Sequence, residues 1–192
     1  QMKNDYLLEI CANSVKSCIE AQKGGAYRVE LCAGIPEGGT TPSYGDIVLA
    51  RELLKIKLNV IIRPRGGDFL YNDLEHKIML KDIENAGRLG VDGVVIGCLN
   101  PEGDIDMKRN KELIDAAGDM SITFRRAFDM CRYPYDALEK IIELGCDRIL
   151  TSGQQPKAVE GINLLKELVE RAGDRIIIMP GSGVNADNIL HL

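Results

Sequence analysis

The chain has 192 residues, 45% of them hydrophobic and 28% charged, with a formal net charge of −5. That content fills one core, so a single domain over 1–192 is expected, and disordered, collagen-like and coiled-coil chains are excluded. The acidic balance argues against a surface that tracks a phosphate backbone, so no nucleic-acid partner is expected.

No apolar run approaches the roughly 20 residues that span a bilayer. The start, Gln1-Met2-Lys3-Asn4-Asp5, lacks a signal-peptide apolar region. No membrane partner and a cytoplasmic location are the expectations. The six cysteines, at 11, 18, 32, 98, 131 and 146, are spread along a chain that can form its own core. Reduced thiols therefore fit better than a disulfide framework.

Strands are read near 6–11, 28–32, 58–63, 93–98, 121–126, 148–152 and 175–179. Between them, Asn13 or Ser14 can cap a first helix, Ser43 with Asp46 a second, and Asn72 with Glu75 forms a capping box for a third. Asp106 can cap a fourth, Pro134 and Pro156 suit the first turns of a fifth and sixth, and Asn185 can cap a seventh. A repeat punctuates the series: Gly25-Ala-Tyr-Arg-Val, Gly90-Val-Asp-Gly-Val, Gly145-Cys-Asp-Arg-Ile and Gly173-Asp-Arg-Ile. Each glycine reads as a helix C-cap and each following run as a buried strand.

The repeats are spaced by 65, 55 and 28 residues, about two, two and one βα units of roughly 30 residues. Strands apolar on both faces, linked by helices at an even repeat, predict an α/β fold of the TIM (β/α)8-barrel type. Seven units are visible and the eighth strand is missing. A tail beyond Leu192 or a partner chain is expected to cover that edge, because an open sheet exposes unpaired backbone groups.

In such a barrel the chemistry sits where strands end. A five-residue pattern occurs twice, as Leu8-Glu9-Ile10-Cys11-Ala12 and Val29-Glu30-Leu31-Cys32-Ala33. Alternation puts Glu9 with Cys11 on one face and Glu30 with Cys32 on another, so adjacent strands would bring two acids and two thiols together. Two thiolates without a histidine suit a soft monovalent ion such as Cu(I) better than tetrahedral zinc. Small buried core thiols are the competing reading.

The other strand ends supply Arg63, Arg65, Arg126, Asp129, Ser152 and the turn Gly181-Ser182-Gly183. Their arginine forks would receive a carboxylate or phosphate, with the glycine turn offering backbone N–H groups. Glu9 and Glu30 would neutralise Arg63, Arg65 and Arg126, either as a structural network or as part of that site. Cys98 and Cys131 could share the rim. His76 is placed on the solvent side of the third helix, and His191 lies at the chain end.

Glu-Ile-Cys at 9–11, Arg-Val-Glu-Leu-Cys at 28–32, Glu-Gly-Gly-Thr-Thr-Pro-Ser at 37–43, Ile-Arg-Pro-Arg-Gly-Gly-Asp-Phe at 62–69, Arg-Ala-Phe-Asp-Met at 126–130 and Leu-Thr-Ser-Gly at 150–153 resemble the CutC copper-homeostasis family. The resemblance runs from about residue 7 to 189. It implies a cytoplasmic TIM barrel, commonly a homodimer, that binds copper as Cu(I) through Cys11 and Cys32. The alternative is a barrel enzyme of unknown reaction that acts on a small anionic metabolite through the Arg and Glu cluster. One departure stands on strand five, where the family usually reads Phe-His-Arg-Ala-Phe-Asp and this chain has Arg125 in place of the histidine.

Overall fold

The computed structural model of the protein describes residues 6–192; the start read above for a leader lies outside them. Two compact units are present. One runs to Gly67 and adds Asp73–Val94 and Ala116–Met120; the other holds Asp68–Asn72, Val95–Asp115 and Ser121–Leu192.

Strand and helix alternate throughout: β1 (Glu9–Ala12), α1 (Val15–Lys23), β2 (Arg28–Leu31), α2 (Tyr44–Leu53), β3 (Lys57–Ile61), α3 (Asp73–Arg88), β4 (Gly93–Ile96), α4 (Met107–Ala117), β5 (Ser121–Phe124), α5 (Pro134–Glu143), β6 (Arg148–Thr151), α6 (Ile162–Ala172) and β7 (Ile177–Pro180). Sheet order follows chain order. The pairs β1–β2 and β2–β3 in the first unit, and β5–β6 and β6–β7 in the second, are parallel. This is the TIM-barrel plan expected from the repeat.

The repeat glycines behave as C-caps. Gly25, Gly90, Gly145 and Gly173 take φ of 88°, 77°, 82° and 55°, positive values that glycine adopts without strain where a helix closes before a strand. The aspartates that follow two of them add a tie within each unit. Asp92 Oδ2 accepts the N–H of Leu58 at 2.9 Å, and Asp147 Oδ2 accepts that of Ile122 at 2.7 Å. Each carboxylate satisfies a donor at the start of the preceding strand.

Helix starts follow the capping chemistry in most units. Ser14 Oγ accepts from Ser17 N at 3.0 Å, Ser43 Oγ from Asp46 N at 3.1 Å and Asp106 Oδ1 from Arg109 N at 3.0 Å, while Pro134 opens α5. Two expectations fail. Pro156 lies ahead of a 3-10 turn, Ala158–Glu160, and α6 begins only at Ile162. Asn185 opens no α-helix: its Oδ1 accepts from Asp187 N and Asn188 N, so the cap closes a local turn ahead of a 3-10 turn at Ile189–His191.

The strands of the first unit are not apolar on both faces. In-register partners form rows: Ile10–Val29–Leu58 and Ala12–Leu31–Val60 are apolar, while Glu9–Arg28–Lys57 and Cys11–Glu30–Asn59 are polar. Because side chains alternate, the apolar rows share one face and the polar rows the other. Helices α1 and α2 pack on these strands and bury Cys18, Ile47 and Ala50.

His76 is buried, contrary to its placement from sequence. It begins the α3 stripe His76–Met79–Ile83–Ala86, whose helical spacing faces inward. In the second unit the core gathers Phe124, Phe128, Leu138, Ile141, Ile149 and Leu168, and α6 packs on β7.

Candidate functional site

The polar face of β1–β3 brings the two thiols together. Cys11 is the register partner of Glu30, and Cys32 follows two residues later, its N–H donated to Ala12 O at 3.0 Å. The two Sγ atoms stand 3.8 Å apart. Cys11 is exposed and Cys32 buried.

Gly39 closes over Cys32. A Cβ there would lie 3.0 Å from Ile61 Cδ1 and 3.7 Å from Cys32 Sγ, and φ is +88°. Sharing its proton with Cys32 raises the Cys11 thiol pKa far above its ordinary value; burial and the Cys32 charge add to this, the Glu30 contact opposes it and Glu9 reinforces it.

Below the thiols, Arg28 donates to Glu9 in an ion pair whose side chains are only 12% and 8% exposed. Glu9 was expected to neutralise Arg63, Arg65 or Arg126. The register overrules that, because it sets Glu9 directly beside Arg28. The signal was present in the sequence: Arg28 stands two residues before Glu30 and so shares its face. Asn59 is fully buried, and neither atom of its amide has a hydrogen-bond partner among the described residues.

The strand-end arginines are engaged. Arg63 Nη1 donates to Glu37 O at 2.6 Å and Gly39 O at 3.3 Å, and Nη2 to Gly67 O at 2.6 Å. Thr41 grips the same residue, its Oγ1 accepting from Arg63 N at 2.8 Å and donating to Arg63 O at 3.1 Å. The guanidinium thereby pins the loops around 37–39 and 67. Arg65 is held by Glu75, at 2.6 Å from Nε and 3.3 Å from Nη2.

In the second unit, Arg126 Nε donates to Asp129 Oδ2 at 2.8 Å and Nη2 to Ser152 Oγ at 3.1 Å. Asp129 also accepts from Thr151 Oγ1 at 2.5 Å, Ser152 Oγ at 2.9 Å, Ser152 N at 3.1 Å and Gln154 N at 3.1 Å. This carboxylate is the hub that joins the end of β6 to the turn after β5. The turn at Gly181-Ser182-Gly183 is likewise committed in part: Gly181 N donates to Thr151 O at 3.0 Å and Ser182 Oγ to Pro156 O at 2.8 Å.

The remaining thiols are stored in the packing. Burial pushes Cys98, Cys131 and Cys146 up to about 12 and Cys18 to about 11. Cys98 does not offer its thiol to solvent; its backbone N and O are both held by the buried Asn110 amide, at 3.0 and 2.8 Å. Asn110 was missed from sequence, since a polar residue inside an amphipathic helix reads as solvent-facing. Arg125 is buried with its guanidinium 5.3 Å from the Phe69 ring centroid. Gly97 makes room for it, since a Cβ there would meet Arg125 Cγ at 2.8 Å.

Comparison with known proteins bears on family and fold. A CutC family protein of Bacteroides fragilis is 64% identical over 192 residues, covering all of this chain and 76% of that relative. One from Chromobacterium violaceum is 55% identical over 188 residues, 98% of this chain and 76% of the relative. The crystal structure of the copper homeostasis protein CutC from Streptococcus agalactiae superposes with a TM-score of 0.92 at 39% identity, covering 96% of this chain and 91% of that one. A solved aldolase, 17% identical with a TM-score of 0.69 over 96% of this chain and 84% of its own, shares the fold. The CutC family profile matches residues 6–192, and the chain belongs to the CutC copper-homeostasis family.

Proposed function

We propose that this protein serves copper homeostasis by binding Cu(I) through Cys11 and Cys32. The observation that carries the reading is the 3.8 Å approach of the two sulfurs. Two metal–thiolate bonds of about 2.3 Å can span that gap. The donors are soft, as Cu(I) prefers, and they number two, whereas a structural zinc takes four. Bound copper would be held as cargo by the two thiolates, which release their protons on loading.

Glu9 and Arg28 neutralise each other beneath the pair, and Gly39 lets the loop cover Cys32. Reduced thiols fit a cytoplasmic setting, where the protein would act as a homodimer. An enzyme acting on an anionic metabolite would draw on Arg63, Arg65 and Arg126. Several of their donors already go to carbonyls, Glu75, Asp129 and Ser152, so the thiol reading is preferred.

A Cys11→Ser/Cys32→Ser double variant tests it. Under reducing conditions the parent is expected to retain about one Cu(I) per chain against a competing chelator, and the variant none. Unchanged uptake by a folded variant would remove the assignment.

A further inference from the structure

We propose that Cys11 and Cys32 form a site for trivalent arsenic, bridged through a single atom, and that the same pair is barred from closing a disulfide. The proposal rests on the assignment of these two thiols made above but does not require copper.

The reason is the register. Cys11 pairs with Glu30, so Cys32 is displaced by two residues along the neighbouring strand. Two residues advance a strand about 6.6 Å and neighbouring strands lie about 4.8 Å apart, which puts the Cα atoms roughly 8 Å from each other. A disulfide needs Cα atoms within about 7 Å and sulfurs about 2.0 Å apart. Closing the 3.8 Å gap that far would slide β2 against β1. The ladder resists this: Cys32 N is bonded to Ala12 O at 3.0 Å, directly past four in-register pairs.

A bridge through one atom asks for no such movement. Two bonds of metal–thiolate length, about 2.3 Å each, set at the pyramidal angle of trivalent arsenic hold their sulfurs somewhat inside the roughly 4.6 Å of a linear bridge and close to the 3.8 Å found here. Cys11 is exposed and gives the reagent entry.

The chemistry balances without an oxidant. An organic arsenoxide meeting two thiols forms two S–As bonds; both S–H bonds and the As–O bond break, the oxygen leaves with the two protons as water, and arsenic remains trivalent. Disulfide closure would instead transfer two electrons and two protons to an acceptor such as oxidised glutathione, reducing it to two thiols. The sulfurs are placed for the first reaction and not for the second.

The test uses the whole chain and phenylarsine oxide under anaerobic conditions, read by intact mass and by mapping the cysteines left open to iodoacetamide once the treated and untreated chains are unfolded in urea. One arsenical per chain is expected, shielding Cys11 and Cys32 together. Cys11→Ser and Cys32→Ser should each lower that stoichiometry from one to none, with thermal melts confirming that both variants fold. In parallel, oxidised glutathione should yield no peptide that joins Cys11 to Cys32.

A joined peptide as the main product would overturn the proposal, as would arsenical treatment that leaves both thiols open to alkylation. Disulfide closure alongside normal copper uptake under reducing conditions would sink this inference alone. Loss of copper uptake with intact arsenic bridging would sink the copper reading alone.

Discussion

Asp92 shows how much one carboxylate can organise. It accepts from Leu58 N and from Arg51 Nη1 at 2.8 Å and lies 3.4 Å from Lys57 Nζ. Burial alone would push its carboxyl up, but the Leu58 N–H together with Arg51 and Lys57 outweighs that and holds it below the usual range. A depressed folded-state pKa stabilises the protein above the unfolded value of about 3.9, and the contribution is lost as pH falls through the folded value. Asp92→Asn is therefore expected to lower stability by about 1–3 kcal/mol at pH 7. Urea unfolding should show that deficit shrinking below about pH 4; an equal deficit at pH 7 and pH 3 would refute the electrostatic account. The Gly-x-Asp spelling at 90–92 and 145–147 was visible in the sequence, yet the carboxylate's partner belongs to another strand and could not be read locally.

At the scale of elements, the first three strands carry their chemistry in rows. Alternation along each strand was legible from Glu9-x-Cys11 and Glu30-x-Cys32, and it correctly assigned faces. Register was not legible, because it depends on how neighbouring strands are offset, and that offset decided that Glu9 meets Arg28. Asn59 belongs to the same polar row as Glu30, buried between Leu58 and Val60 with its amide unpaired among the described residues. An unpaired buried amide costs about 1–3 kcal/mol, so Asn59→Leu, which keeps the same branching at Cγ, is expected to raise stability by roughly that amount. The shift of the urea midpoint at unchanged slope measures it. A destabilised Asn59→Leu variant would mean that this amide is satisfied in the folded protein.

Across the whole molecule, the cysteines separate into one displayed thiol and five that folding covers. Burial raises Cys98, Cys131 and Cys146 to about 12 and Cys18 to about 11, so almost no thiolate forms at those positions near neutral pH. Iodoacetamide at pH 8 is expected to leave these four unmodified in the folded protein and to label all six after denaturation. Peptide mapping across a urea series should show the four becoming reactive together, in step with global unfolding. Labelling of any one of them at a rate independent of urea would show that its burial is local and easily opened.

The sequence by itself determined the βα repeat, the C-cap glycines, most helix starts and the pairing of acid with thiol on one face, because capping and alternation are properties of a few neighbouring residues. The family followed from strings such as Arg-Pro-Arg-Gly-Gly-Asp-Phe at 63–69. Tertiary structure alone decided which charge answers which. Arg63 was expected to present a free fork and instead binds the carbonyls of Glu37, Gly39 and Gly67, while His76 and Asn110 turned inward. A buried polar group must find its partner wherever the folded chain supplies one. For Arg63 the nearest of those three carbonyls in sequence is four residues away and the farthest 26, a distance across which local pattern carries no information.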